Sequence, residues 1–444
     1  MATIFTAISN GRGQELWISY GTPSSTFLVK DVRDGATGSA PLILGFLAVN
    51  GVADPARVLF LANDGPNGAE LWVTDGTAAG TTLFKDINAG AAGSFASGWI
   101  TVGPRSVFTA TDAAGGHELW VSNGTAAGTV LLADLNPGTA GAAPIFIGSL
   151  IAGGTADASR AMFLLDDGTT GHEIWVSDGT AAGTVQLKDI NPGAVGANAT
   201  AWIAVNGRAV FTANDGTAGL ELWVSDGTGA GTLLLANAAA GLAGSDPEVL
   251  GYLLVGGVAD TTKLLVSLDD ITHGRELWLT DGTPGGTVLF KDLDPGSAGS
   301  TPEGWVAVNG RAVFAATTAA DGRELWVSDG TLAGTGRLGD FLPGGADPQL
   351  VFYPRFGDRT YFSVLTPGGR ALYYTDGTIS GTHELFVPPP FPGGEGVQQY
   401  SFGYEFFRYG NRDLIFLMGY GVWELNPDRS SVRRIDTSGY VPVD

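Results

Sequence analysis

The chain of 444 residues contains no cysteine and only four histidines. Disulfide bonds and thiolate metal sites are therefore excluded, and any metal site would have to be built largely from carboxylates. The pairs His117-Glu118 and His383-Glu384 do not extend to the H-E-x-x-H pattern of zinc proteases. The sequence also has no G-x-S-x-G nucleophile motif and no phosphate-binding P-loop. We therefore assign no catalytic residue.

Positive charge is scarce. There are 23 Lys and Arg residues against 45 Asp and Glu residues, and the formal net charge is −22. Binding to nucleic acid or to an anionic membrane surface needs a basic patch that can neutralise phosphates, and no such patch is present. The acidic balance is compatible with cation binding or with high solubility.

Long hydrophobic runs are absent too. No window approaches the ~18 uninterrupted apolar residues of a transmembrane helix, so we expect no membrane insertion. The first ten residues, MATIFTAISN, lack the basic and apolar regions of a signal peptide, so none is predicted. A cytoplasmic location therefore stays open.

What the chain has instead is a repeated motif, ELWVSDGT with small variations. It recurs nine times, about every 51 residues, which predicts a solenoid or a propeller. The motifs are centred on Trp17, Trp72, Trp120, Trp175, Trp223, Trp278, Trp326, Tyr373 and Trp423.

Each repeat reads as four short strands, which we call a to d. In residues 98–137, four runs rich in Val, Ile, Phe, Trp and Thr are separated by Gly, Asn, Asp or Pro. Four strands per repeat indicate a propeller blade, with strand a innermost and strand d outermost. We predict an all-β protein in which residues 1–444 form one β-propeller domain. Nine blades are expected, and eight are the alternative.

The two ends predict how the ring closes. Phe5 precedes Trp17 by the same twelve residues that separate Phe211 from Trp223, so the chain begins on strand b. The tail at 439–443 resembles strand a at 251–255, and we expect it to complete the first blade. Pro442 fits there only if its missing N–H falls at a position that is not hydrogen-bonded.

A longer period is superimposed on the first. Trp17, Trp120, Trp223 and Trp326 are each 103 residues apart, and Trp72, Trp175 and Trp278 show the same spacing. Most of the difference between alternate repeats lies in the link from strand a to strand b. The duplicated unit is therefore a pair of blades.

The strings ELWVSDGT and DGTAAGT resemble those of the bacterial ELWxxDGT-repeat proteins. The resemblance covers nearly the whole chain and weakens after about residue 340. It implies an extracellular or surface-associated protein with no assigned activity. Tyr20 and Asn123 stand where the motif has Asp.

Carboxylates form the pattern that points most directly to a chemical function. If Trp72 pairs with Phe84, then Glu70 lies opposite Asp86 and near Asp64, so three acids share one end of the blade. Like charges placed together in a sheet are destabilising. One interpretation is a Ca²⁺ ion in each blade; the other is that Asp caps turns while Glu accepts bonds from backbone or Thr groups. The candidate rows are Asp64, Glu70 and Asp86; Asp112, Glu118 and Asp134; Asp167, Glu173 and Asp189; and Asp270, Glu276 and Asp292.

Three further tryptophans, Trp99, Trp202 and Trp305, recur every 103 residues on strand a. If they are exposed they could stack on sugar rings, and if they are buried they pack one blade against the next.

These patterns leave three functions open. The first is a non-catalytic, monomeric propeller that binds a glycan or a protein, with divalent cations as bridging ions. The second is a polysaccharide lyase or hydrolase, whose site would lie in the last two repeats around Arg355, Arg359, Tyr361, Arg370, Tyr404 and Arg408. The third is a purely structural repeat. Near-identical blades favour binding or scaffolding, because catalysis needs one special place.

Overall fold

The computed structural model describes residues 3–152, 155–239, 241, 244–343, 345, 347–356, 358–366, 369–386, 404–409, 412–417, 421–426 and 431–434. Over these residues the protein is 55% strand and 2% helix. The strands form nine antiparallel sheets in chain order, and each repeat contributes one sheet. This repeated, propeller-like sheet architecture confirms the all-β prediction. Closure of a ring and the number of blades in it remain predictions.

Sheets 1 to 3 use eleven strands. Sheet 1 contains β1 (Thr3–Ser9), β2 (Gly13–Ser19) and β3 (Thr26–Lys30). Sheet 2 contains β4 (Leu42–Val49), β5 (Val52–Asn63), β6 (Ala69–Thr74) and β7 (Thr82–Lys85). Sheet 3 contains β8 (Ser97–Val102), β9 (Arg105–Asp112), β10 (Gly116–Ser122) and β11 (Val130–Ala133).

Sheets 4 to 6 follow the same plan. Sheet 4 contains β12 (Ile145–Ala152), β13 (Thr155–Asp166), β14 (His172–Ser177) and β15 (Val185–Lys188). Sheet 5 contains β16 (Thr200–Val205), β17 (Arg208–Asn214), β18 (Leu220–Ser225) and β19 (Leu233–Ala236). Sheet 6 contains β20 (Glu248–Val255), β21 (Val258–Asp269), β22 (Arg275–Thr280) and β23 (Val288–Lys291).

Sheets 7 to 9 complete the described chain. Sheet 7 contains β24 (Glu303–Val308), β25 (Arg311–Thr318), β26 (Gly322–Ser328) and β27 (Gly336–Arg337). Sheet 8 contains β28 (Val351–Phe356), β29 (Arg359–Thr366), β30 (Gly369–Thr375) and β31 (His383–Phe386). Sheet 9 contains β32 (Tyr404–Tyr409), β33 (Arg412–Leu417), β34 (Gly421–Leu425) and β35 (Val432–Arg434). Two single-turn 3₁₀ helices, Pro23–Ser25 and Pro284–Gly286, lie in c–d turns.

Sheet 1 has three strands where every other sheet has four. Its first strand pairs Phe5 with Trp17, as strand b pairs Phe211 with Trp223 in sheet 5. The prediction that the described chain begins on strand b is confirmed. The segment 439–443, which we expect to supply strand a, lies outside the described residues.

Alternate sheets differ as the 103-residue period predicts. Strand b spans twelve residues in sheets 2, 4 and 6, as in Val52–Asn63, and seven or eight in sheets 3, 5 and 7. The extra residues lengthen the hairpin between strands a and b. The duplicated unit is therefore visible as a pair of structurally distinct sheets.

The chain divides into two compact units, residues 1–244 and 245–444. Within each unit, neighbouring sheets pack face to face. In the first unit, Leu71 of sheet 2 packs with Phe108 and Trp120 of sheet 3. In the second unit, Leu277 of sheet 6 packs with Phe314 and Trp326 of sheet 7. The Leu and the Trp of the motif thus serve opposite faces, since the Trp contacts the preceding sheet and the Leu contacts the next.

This arrangement confirms that the motif tryptophans belong to the core between sheets. The most deeply buried are Trp72, Trp120, Trp223 and Trp326, each at most 9% exposed. At the eighth repeat, Tyr373 replaces Trp and packs on Phe362 and Phe341. In sheets 2 to 5 and 7 to 9, one aromatic ring per repeat therefore fills the space between two sheets.

We expect Leu71→Ala to lower the free energy of unfolding by roughly 2–5 kcal/mol, because it opens a cavity between sheets 2 and 3. Leu71 is fully buried, whereas Leu233, on the edge strand of sheet 5, is 48% exposed. Leu233→Ala is thus a matched control that should cost less than about 1 kcal/mol. Chemical denaturation measures both values, and equal losses would contradict the assigned packing.

Candidate functional site

The motif glutamate is fully buried in every described repeat that carries it, as at Glu70, Glu118 and Glu173. Its carboxylate faces the link from strand d to the next sheet. Glu70 accepts hydrogen bonds from the backbone N–H groups of Ile87 and Asn88, at 2.9 and 3.1 Å. The carboxylate therefore acts as an acceptor for backbone donors that would otherwise be buried without partners.

The same contact recurs along the chain. Glu173 binds the N–H groups of Ile190 and Asn191 at 3.0 and 2.9 Å. Glu276 binds those of Leu293 and Asp294 at 2.8 and 3.1 Å. In each case the donors lie 17 and 18 residues after the glutamate. The repeated function of this side chain is to fix the d–a link.

A second set of bonds closes the link itself. The amide groups of Asn88, Asn136 and Asn191 donate to a glycine carbonyl five residues further on, at 2.8, 3.2 and 2.9 Å. The chain then turns into the next sheet through Gly93, Gly141 or Gly196, each with φ near +70°. A side chain at these glycines would also collide with the backbone of strand c, so glycine is required there.

The predicted register between strands c and d is shifted by one residue at Trp72 and beyond it, but holds at Leu71. Trp72 pairs with Leu83 rather than Phe84, and Leu71 pairs with Lys85 across a β-bulge. The bulge recurs at this point in sheets 1 to 6 and in sheet 8. Because Leu71 pairs with Lys85, the next residues along the two chains, Glu70 and Asp86, lie beside each other as predicted, although Asp86 follows the last residue of the strand.

The aspartates after strand b cap the b–c turn, as the structural interpretation predicts. Asp64 accepts from the backbone and side chain of Asn67, at 2.8 and 2.7 Å. Asp112 accepts from the N–H of Gly115 at 2.6 Å, and Asp167 from that of Thr170 at 2.7 Å. In sheet 6, Asp270 binds both the N–H and the ring of His273. Each of these carboxylates therefore has its own local donors.

The strand-d aspartates complete the rows. In sheet 3, a Cβ placed on Gly115 would lie within 3.9 Å of side-chain atoms of Asp112, Glu118 and Asp134. The three acids of that sheet are therefore brought together. Asp86 and Asp292 each have one buried oxygen without a hydrogen-bond partner. In the described part of the chain, however, no three Asp, Glu or His side chains are arranged to hold a metal ion. The Ca²⁺ interpretation, which also includes Asp189, stays a prediction.

In three sheets a basic side chain lies close to one of the aspartates at this end of the sheet. Arg12 lies 3.4 Å from Asp31 in sheet 1, and His273 lies 2.6 Å from Asp270 in sheet 6. In sheet 7, Arg337 lies 2.6 Å from Asp321. Part of the negative charge in these sheets is therefore offset by the protein itself.

Burial raises the pKa of the motif glutamates. Desolvation is the largest cause at Glu70, Glu118, Glu276 and Glu324, and the neighbouring strand-d aspartate adds to it. At Glu173 desolvation raises the pKa to about 7, while the backbone donors oppose the shift. The proton on these groups is therefore bound more tightly in the folded than in the unfolded chain.

The three strand-a tryptophans are half-buried. Trp99, Trp202 and Trp305 each stack on the strand-b Phe of their own sheet, with ring centroids 4.5, 4.8 and 5.5 Å apart. The ring of Trp202 also lies over Gly148 of the preceding sheet. Each ring is therefore packed against its own sheet and remains partly accessible.

Trp202 borders a cavity of about 240 Å³ between β12 and β16. Its lining consists of Phe146, Ile147, Ala199, Thr200, Ala201 and Trp202. Ala201 has φ of +56°, where the equivalent residues are Gly98 and Gly304. A non-glycine residue in this conformation is uncommon. Phe146 likewise stands where the two equivalent sheets have Ile43 and Val249.

The basic and aromatic residues of the last two repeats are engaged elsewhere. The guanidinium of Arg359 lies 4.3 Å from the centre of the Tyr374 ring, and Arg370 donates to Gln349 and Ser363. Tyr361 is fully buried and Arg355 is exposed. The side chains of Tyr404 and Arg408 lie outside the described residues. Tyr361 also contacts the Tyr374 ring, with centroids 6.5 Å apart.

No family model matches the chain, and no curated protein sequence matches it. The structure is similar to a puromycin hydrolase, with 13% identity, 84% of this chain and 57% of that one covered, and a TM-score of 0.32. It is also similar to TolB from Acinetobacter baumannii, with 11% identity, 75% of this chain and 77% of that one covered, and a TM-score of 0.29. A further similar structure is prolyl oligopeptidase B from Galerina marginata, with 10% identity, 84% of this chain and 54% of that one covered, and a TM-score of 0.34. The chain spans just over half the length of the hydrolase and of the oligopeptidase.

Because the pKa of Glu173 is raised in the folded protein, we expect the free energy of unfolding to change with pH. The folded pKa of about 7 lies above the ordinary value of 4.5, so the stabilisation is complete below pH 4.5 and is lost as the pH rises to about 7. Glu173→Gln should remove roughly 1–3 kcal/mol of this pH dependence. Denaturation at several pH values measures the slope for both proteins. Glu248→Gln, at an exposed position, is the control, and an unchanged slope in Glu173→Gln would refute the assignment.

We expect a chelator to leave the melting temperature of the protein unchanged, because the motif carboxylates already have backbone donors. Glu118, for example, accepts from the N–H groups of Leu135, Asn136 and Ala142. A ligand bound only to the folded state raises the melting temperature. Thermal melts with excess chelator and with added Ca²⁺ test this, and a rise of several degrees in Ca²⁺ would restore the calcium interpretation.

Proposed function

We propose that the protein is a non-catalytic binding protein that holds a glycan at the cavity beside Trp202. The observation that supports this most directly is the coincidence of two independent features. The recurring strand-a tryptophans are candidates for sugar stacking by sequence, and the structure has a cavity beside one of them.

The chemistry of the lining fits a sugar ring. Phe146 and Trp202 offer apolar surface for the C–H face of the ring, and the exposed Thr200 offers a hydroxyl group at the rim. The stack on Phe211 holds the indole in place, so little side-chain entropy is lost on binding. A volume of about 240 Å³ is below the roughly 300–1,000 Å³ of drug-sized pockets, so it suits one residue of a longer glycan.

The surroundings agree with this assignment. Strands β4, β8, β12 and β16, which form the strand-a edges of the first unit, contain no charged residue in a chain of net charge −22. Several of their side chains are exposed and apolar, including Leu42, Phe46 and Ile145. These exposed apolar side chains offer further surface for contact with a ligand. The proposal takes the extracellular location that the repeat resemblance implies.

We expect a glycan array to give a defined set of ligands and Trp202→Ala to weaken their binding at least about tenfold, since one stacking contact is lost. Trp99→Ala is the matched control, because it removes an equivalent stack, on Phe108, away from the cavity. Binding should be retained in that variant, and melting curves should show that both variants fold. Absence of any glycan ligand would refute the proposal. Loss of binding only in Trp99→Ala would place the site elsewhere.

A further inference from the structure

The cavity beside Trp202 is bordered by two terminal strands. β12 and β16 are the strands a of sheets 4 and 5, and among the described residues no strand pairs with their outer edges. A free strand edge presents backbone N–H donors and C=O acceptors in alternation. These groups carry no net charge, and because they alternate they do not gather several donors at one point. Such an edge suits ligand groups that both donate and accept hydrogen bonds.

Both strands are bulged where they border the cavity. Ile147 has no partner on β13, and Ala201 and Trp202 together stand opposite Phe211 on β17. Ile147, Ala201 and Trp202 all line the cavity. Equivalent bulges occur in sheets 2, 3, 6 and 7, so they belong to the repeat. A bulge interrupts the ladder and leaves the extra residue unpaired, so a ligand hydroxyl group can complete the hydrogen bonding there.

The side chains that line the cavity add one hydroxyl group. The hydroxyl of Thr200 shares a hydrogen bond of 2.7 Å with that of Thr212. A hydroxyl group has one donor and two acceptor positions, so this bond leaves Thr200 with capacity for a ligand. Apart from the buried indole N–H of Trp202, the other side chains of the lining are apolar. The polar groups offered to a ligand are therefore neutral.

Basic side chains of the adjoining strands do not line the cavity. Arg208 begins β17, opposite the end of β16. Arg160, on β13, acts on Asp178, whose pKa is lowered mainly by a hydrogen bond from Thr180 and further by the charge of Arg160. All the residues of the lining are described, and none of them is charged. An anionic group that entered the cavity would therefore meet no cation.

We propose that the sugar residue held at this cavity is an uncharged hexopyranose rather than a uronic or sialic acid. The inference rests on the proposed glycan site and narrows its ligand to one class. Each hydroxyl group of a neutral sugar both donates and accepts, as do the strand edges and Thr200 together. The carboxylate of an acidic sugar would lose hydration without gaining a cationic partner, which is costly. The net charge of −22 adds a general repulsion of anionic glycans.

Matched tetrasaccharides that differ only in charge test the proposal on the full-length protein. The probes are tetrasaccharides of glucose, galactose, mannose and N-acetylglucosamine, each with a counterpart oxidised to the uronic acid at C6. We expect calorimetric titration to show that a neutral probe binds and that its acidic counterpart binds at least about tenfold more weakly. Affinity for the neutral probe should change less than about twofold between low and high salt, because no ion pair forms.

The two proposals fail in different ways. Acidic probes that bind as tightly as the neutral ones, with or without added Ca²⁺, would overturn this inference and leave the glycan site standing. The same holds if the tetrasaccharides do not bind while a glycan array gives acidic ligands only. If neither the tetrasaccharides nor the array gives a ligand, the proposed function fails and this inference fails with it.

A charge placed at the rim tests the same point from the protein side. Thr200 is exposed, and Thr200→Lys should raise the affinity for acidic relative to neutral probes at least about tenfold at low salt, an effect that high salt removes. Leu233→Lys adds the same charge on β19, at the opposite edge of sheet 5, where the side chain is 48% exposed. This control should leave the preference unchanged. If melting curves show that both variants fold and their preferences are equal, the ligand does not lie at Thr200.

Discussion

The structure depends on satisfying the buried carboxylate of each repeat. A carboxylate without contact with water is costly unless hydrogen bonds replace its hydration. At Glu173 the replacement donors are the N–H groups of Ile190 and Asn191, which belong to the link into the next sheet. The carboxylate can therefore be buried only when this link has one shape. The hydrogen bonds that satisfy the carboxylate therefore also determine where the following sheet begins.

The packing between sheets builds on that constraint. Once the d–a link is fixed, strand c of each sheet is placed so that its Leu meets the Phe and Trp of the next sheet, as Leu71 meets Phe108 and Trp120. The acid and the two apolar residues of the motif are adjacent in strand c but have different surroundings. The Leu and the Trp project to opposite faces of the sheet, and the Glu lies at the end of the strand. A substitution at any one of these residues therefore affects the packing of two sheets.

Much of this was predictable from the sequence. The spacing of Phe5 and Trp17 gives the missing strand, and the 103-residue period gives the alternation of long and short hairpins. The one-residue shift between strands c and d at Trp72 was not predictable, because a β-bulge between Leu71 and Trp72 leaves no characteristic residue type behind. The d–a donors were missed for a related reason. Backbone N–H groups are the same in every residue, so no side-chain pattern points to Ile87 and Asn88 as partners of Glu70.

The cavity could not be predicted either, since no residue pattern in the sequence marks the space between β12 and β16. A repeated fold presents equivalent positions in every second sheet, and a single ligand site requires that one of them be unlike the others. At β12 and β16, Phe146 replaces a smaller aliphatic residue and Ala201 replaces a glycine, although Ala201 must adopt a left-handed conformation. Such a conformation costs on the order of 1 kcal/mol. The asymmetry therefore falls on the two residues that shape the cavity around Trp202, while the stack of Trp202 on Phe211 is shared with the sister sheets.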